Sequence, residues 1–150
     1  MKTKIFSFIL AFTLFVGCNN DDDGSSAPQN DTEIRGTWHL TEQRNTSIPR
    51  SAFPPESEEP IEIVFLADVF SGSSANNTFS GVYVTNSGKL RLRDLTSTDN
   101  QDTPWATQFY FGLSQAFNSE TDEIVLDYEV EGNTLILGYT TDSQFIFEKQ

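Results

Sequence analysis

The chain has 150 residues, room for one domain with a real hydrophobic core and none to spare for a second. Lys and Arg number 9 against 22 Asp and Glu, a net charge of −13 that disfavours nucleic acid, whose phosphates are bound through clustered cations. A single cysteine excludes an internal disulfide framework.

In chain order, Lys2 and Lys4 precede the twelve-residue run IFSFILAFTLFV, in which only Ser7 and Thr13 are polar. A membrane-spanning helix needs about 20 apolar residues, so the run is too short to span and is read as an export signal over residues 1–17. Phe15-Val16-Gly17-Cys18 resembles the bacterial lipobox, with Phe15 where Leu is commoner. The resemblance implies that Cys18 becomes the mature N-terminus and carries the lipid, so the chain is anchored to a membrane rather than inserted through it. Residues 18–33 then form the lipidated terminus and a polar, acidic linker that lacks the apolar surface to fold alone. Asp21–Asp23 resemble the surface-export signal of Bacteroidota-type lipoproteins, which implies the outer membrane and its outer, cell-surface face.

From Gly36 onward apolar residues alternate, the period of a half-buried strand. Strands are predicted at Thr37–Arg44, Ile61–Leu66, Phe79–Thr85 and Lys89–Asp94, with Asn86-Ser87-Gly88 turning the last two. Lys89, Arg91 and Arg93 make a basic stripe, read as the solvated face of an edge strand; a partner with an acidic patch is the other use for it. Thr103 caps and Pro104 opens a helix over about residues 104–117, with Trp105, Phe109, Leu113, Ala116 and Phe117 on one stripe. Such a helix, set between strands, closes one side of a curved sheet. Further strands follow at Leu126–Val130, Leu135–Tyr139 and Phe145–Phe147, the first two joined by Gly132-Asn133, a two-residue hairpin signal. The acidic clusters Glu56–Glu59, Asp99–Asp102 and Glu120–Glu123 read as solvated loop surface.

No chemistry assembles from these residues. His39 is the lone histidine and faces outward between Trp38 and Leu40, so no Ser-His-acid arrangement, zinc set or nucleophile elbow can be built. The acidic runs lack the ligand spacing of a calcium loop, no glycine-rich phosphate loop is present, and a glycosidase pair cannot be chosen among 22 acids without their separations. The reading is therefore no enzyme, no metal and no cofactor, with the membrane as the only legible partner; a protein partner or small ligand is not legible.

SGSSANNTFSGVY (71–83), LRLRDLTST (90–98), FGLSQAF (111–117), YEVEGNTLIL (128–137) and FIFEK (145–149) come in the order and spacing of the META-domain family of bacterial envelope and heat-shock lipoproteins, which residues 34–149 resemble. Gly36-Thr37-Trp38 matches that family's usual opening. The resemblance implies an α+β, mainly β fold, a strongly curved antiparallel sheet or partly open barrel with one helix, and a non-catalytic binding, structural or envelope-stress role. Two departures stand out. Many family members have cysteines where this chain has Asn76 and Asp102, so a disulfide there is absent and stability is expected from packing alone. Asn77 matches a family Asn, explained by turn chemistry. Gly36-Thr37-Trp38 also resembles the Gly-x-Trp opening of lipocalins, whose helix follows the eighth strand rather than preceding three; a lipocalin-like binder of a small apolar ligand is the alternative.

Overall fold

The computed structural model describes residues 30–150, so the expected export signal, Cys18 and most of the expected linker lie outside the described residues. In chain order the elements are β1 (Gly36–Asn45), β2 (Arg50–Ala52), β3 (Glu62–Phe65), β4 (Val69–Ser73), β5 (Thr78–Asn86), β6 (Lys89–Ser97), α1 (Pro104–Gln115), β7 (Phe117–Asn118), β8 (Glu123–Glu131), β9 (Thr134–Thr140) and β10 (Ser143–Lys149). The hairpins form where their turn residues permit: Ser87 and Gly88 both take positive φ between β5 and β6, and Gly132 does so between β8 and β9.

The strongly curved sheet or partly open barrel expected from the sequence is corrected by the structure to a closed barrel. Eight strands run antiparallel in the cyclic order β1-β3-β4-β5-β6-β8-β9-β10, and β10 returns to β1 from Trp38↔Lys149 to Asn45↔Ser143. A bulge in β1 between Leu40 and Glu42 gives the extra bend that closure requires. The short strands β2 and β7 are additions, β2 pairing with Gln43–Asn45 of β1 and β7 with Glu123 and Ile124 of β8. Closure also places β6 between β5 and β8, so the basic stripe is not on an edge. Instead Lys89 pairs with Asp127, and Arg91 and Arg93 both pair with Glu123.

An eight-stranded barrel is just wide enough for its own side chains, and here they fill it. Phe65 meets Tyr83 edge-on at 5.0 Å and Phe70 at 6.2 Å, Phe70 meets Phe79 at 6.5 Å, and Phe79 meets Phe109 of the helix at 5.9 Å. Phe109 continues to Phe145 at 5.1 Å, giving an aromatic column that runs the length of the interior. Leu40, Leu90, Leu126, Leu135 and Leu137 pack around it, each at most 1 % exposed.

Both ends are covered. At one, α1 lays Trp105, Ala106, Phe109 and Leu113 over the mouth, which makes the helix a lid on a barrel end rather than the flank of an open sheet. Thr103 Oγ1 accepts from the Ala106 N–H and Pro104 occupies the first turn, where its missing N–H costs nothing. At the other end Trp38 Nε1 donates to Ile34 O at 2.7 Å and the Lys149 ammonium lies 5.0 Å from the Trp38 ring centroid. Asn30 is fixed there too: its Nδ2 donates to Ala67 O and Tyr83 O, and its Oδ1 accepts from the Thr85 N–H.

Candidate functional site

The densest group of polar side chains lies beside the lid. The β4–β5 turn folds on itself through the Ser74 N–H to Asn77 O bond, 2.8 Å, and brings both side chains toward the loop between β6 and α1. Asp102 in that loop is the hub. Its Oδ2 accepts from Ser74 Oγ and from Asn77 Nδ2, the latter at 2.9 Å, while its Oδ1 accepts from the Thr103 N–H at 2.9 Å. Tyr110 Oη lies 3.0 Å from Ser74 Oγ; with the serine proton directed at Asp102, the phenol donates to the serine. Asn77 works from both ends of its amide, donating to Asn100 O and accepting from the Thr98 hydroxyl and the Asn100 N–H. It is buried; its backbone closes its own turn, but its side chain bonds across to the other loop rather than to nearby backbone, which corrects the expectation for that side chain.

Burial pushes the Asp102 carboxyl up, but the hydrogen bonds from Ser74, Asn77 and the Thr103 and Asn76 amides outweigh it and hold the group below its ordinary value. Tyr110 moves the other way, raised mainly by burial and partly offset by its bond to Ser74, so it stays a phenol and a donor. Asp102, held below its ordinary value, is a weak base toward the Ser74 hydroxyl, and the one imidazole, that of His39, is engaged by Glu62. His39 is half-buried on β1, with Nε2 3.0 Å from Glu62 Oε2. Among the described residues no group of three or more His, Cys, Asp or Glu side chains could hold a metal ion.

The network therefore ties two loops together. It does so at the positions where the family resemblance places a cysteine pair: Asn76 Nδ2 donates to Gln101 O at 2.9 Å, and Asp102 sits at the other position. Polar bonds stand there in place of the disulfide, which corrects the expectation of stability from packing alone. Two acids read as solvated loop charge are thus engaged, Asp102 here and Glu123 on β8, where the side chain is 7 % exposed between Arg91 and Arg93. Sequence reasoning missed Ser74, Asp102 and Tyr110, since the partners lie 28 and 36 residues apart and no local pattern links them. Trp105 and Phe109 are buried as expected, as core rather than pocket lining.

The family model described as META domain matches residues 31–150. No curated protein is significantly similar to the chain. Among solved structures, a lipocalin-like protein from Bacteroides uniformis is 17 % identical with a TM-score of 0.53, covering 79 % of this chain and 99 % of that one. A protein from Burkholderia xenovorans, solved by NMR, is 16 % identical with a TM-score of 0.57, covering 87 % and 96 %. An uncharacterized protein from Bacteroides eggerthii is 15 % identical with a TM-score of 0.50, covering 77 % and 98 %. Likeness at such identities speaks for the barrel fold alone.

Proposed function

The chain belongs to the META-domain family, and from that premise we propose that it is a non-catalytic module of the bacterial cell envelope, tethered to the outer membrane through lipidated Cys18. It works through the outside of its barrel. The observation that carries this is the filled interior: the aromatic column from Tyr83 to Phe145 occupies the space in which a carrier would hold its cargo. Closure of the eight strands is what a lipocalin-like carrier of an apolar ligand would also need, but a barrel packed with its own side chains has no volume to offer it. The Ser74–Asp102–Tyr110 network supports the same reading, because its donors and acceptors satisfy one another.

The tether reading rests on the leader, the lipobox-like Phe15-Val16-Gly17-Cys18 and the acidic run that follows. Eleven residues lie between Cys18 and Asn30, and the twelve steps reach roughly 40 Å when fully extended. Asn30 is fixed at the end of the barrel opposite the helix, so a chain anchored at Cys18 is tethered by that end. The test is Cys18→Ser in a cell that exports the protein. Release from the membrane fraction, with loss of the lipid mass from the mature product, is the expected result; a native product that begins at Met1 at its bare polypeptide mass overturns the reading. Protease added to intact cells separates the two faces: cleavage of the domain supports the outer one, and protection rules it out.

A further inference from the structure

Residues 69–88 carry no charge, the longest such run in a chain with 22 acids and 9 Lys and Arg. They form β4, β5 and the turn after each, so one flank of the barrel is bare of charge. Alternation fixes what that flank shows to the outside: Val69 and Ser71 on β4, and Ser80, Val82 and Val84 on β5, while Phe70, Phe79 and Tyr83 point in. At the end away from the helix the apolar side chains join into a row. The Leu66 N–H donates across its turn to Val69 O, Val69 pairs with Val82, and Val84 follows on the same face. Leu66 is 57 % exposed and Val69 39 %. Apolar residues scattered singly need no explanation, but a contiguous row marks a surface that meets something.

Two neighbours of the row bear on what it meets. The first is the entry of the tether: Asn30 donates to Ala67 O, inside the Leu66–Val69 turn, and to Tyr83 O, between Val82 and Val84. The chain that leads back to Cys18 is thus fixed at this rim. The second is the stripe on β6, where Arg93 stands opposite Val82 and Arg91 opposite Val84. Lys89, Arg91 and Arg93 set against Asp127 and Glu123 leave one positive charge over. Asp68 in the turn and Asp94 beside Arg93 bring the flank close to neutral, in a chain of −13. Glu129, Glu131 and Glu148, toward the same end, belong to β8 and β10 instead.

We infer that this flank is the face the domain lays against the bilayer that holds its tether, with Leu66 and Val69 in the interfacial zone and the Arg91 and Arg93 guanidinium groups on lipid phosphates. The inference rests on the lipidated Cys18 proposed above and adds an orientation to it. The tether holds the barrel near the bilayer without choosing a side; the chemistry of the surface chooses. The β8–β10 side would bring Glu129, Glu131 and Glu148 to the phosphates, whereas this flank offers hydrocarbon that leaves water and two guanidinium groups that share one carboxylate. Asp68 keeps the seat shallow, since an ionised carboxylate does not follow Leu66 and Val69 into hydrocarbon. A second copy is the poorer occupant, because each chain would bring its own −13 to the contact.

Cys18 is the only cysteine, so in the lipidated protein an introduced cysteine is a unique site for a fluorescent label. Ser71→Cys places one on this flank and Glu148→Cys one on β10; both positions are exposed, and unfolding curves will verify that the fold is kept. The protein is extracted from the exporting cell and reconstituted in vesicles of three parts phosphatidylcholine to one of phosphatidylglycerol. Nitroxide-bearing lipid is expected to quench the label at position 71 about fivefold more than that at 148, the worth of one cation at an anionic surface. Leu66→Asn together with Val69→Asn should erase the difference while the chain stays with the vesicles. Equal quenching at the two positions, stronger quenching at 148, or an unchanged double variant overturns the inference and leaves the tether standing. A chain that does not float with the vesicles and whose Cys18 takes the label overturns the tether and the inference with it. Emission at position 71 that changes with protein concentration in lipid-free detergent gives the flank to a second copy, and overturns the inference too.

Discussion

Asp102 shows how a residue can look like surface and act as a fastener. Its carboxylate gathers donors from the β4–β5 turn and from the start of α1, so removing it strands Ser74 and Asn77 as well. Asp102→Ala should cost about 2 kcal/mol in urea unfolding, the scale of charge-assisted bonds lost together. A loss near zero would mean that water replaces the carboxylate. The folded-state value of this group is depressed, and so is that of Glu123, where burial raises it but the bonds from Arg91 and Arg93 prevail. A depressed carboxyl contributes stability that is present above the unfolded value of about 4 and is lost as pH falls through the folded one. The domain should therefore lose stability in that acidic window, and Asp102→Asn should flatten the loss; an unchanged pH profile in that variant would assign the effect to other acids. None of this was legible beforehand, because charge clusters are judged by their neighbours in sequence and Asp102 draws two of its donors from 25 and 28 residues away.

Among the elements, α1 was the most legible, since Thr103, Pro104 and the four-and-three spacing of Trp105, Phe109 and Leu113 act locally. It ends at Gln115 rather than 117 because Phe117 enters β7 and pairs with Ile124. Thr103→Ala should cost about 1 kcal/mol, the worth of a lost N-cap, measured by thermal or urea unfolding. Gly112 gives a sharper test. In a helix interior Ala is normally better than Gly by about 1 kcal/mol. Here a Cβ would lie 2.3 Å from Phe145 Cζ and 3.3 Å from Tyr139 Cε2, so the stacked rings must move. Overpacking of about 1–3 kcal/mol outweighs the propensity gain, and Gly112→Ala should be destabilising; a rise in stability would show the helix free to lift. Seven strands were visible as alternating runs. The strand β4 was not, because VFSGS supplies one inward aromatic, Phe70, with small residues where the pattern needs bulk.

At the scale of the molecule, closure was the feature that local pattern could not announce. Alternation says which face of a strand is wet; it does not say which strand lies beside it, and β1 meets β10 across almost the whole domain. The closed barrel with one core predicts a single cooperative unfolding transition. The two tryptophans are suited to test it, since Trp38 is buried at the end near Ile34 and Trp105 under the helix at the other. In Trp38→Phe and Trp105→Phe, the remaining indole should report a transition that coincides with the loss of β circular dichroism; separated curves would show the lid coming away first. The β1–β10 seam has one more consequence, for how the protein is made. Of the barrel's strands β10 is the last to be translated, so until residues 143–149 have been made β1 offers its unpaired edge to any passing polypeptide. A premature stop just before residue 143 should therefore yield insoluble aggregate rather than a slightly shortened barrel.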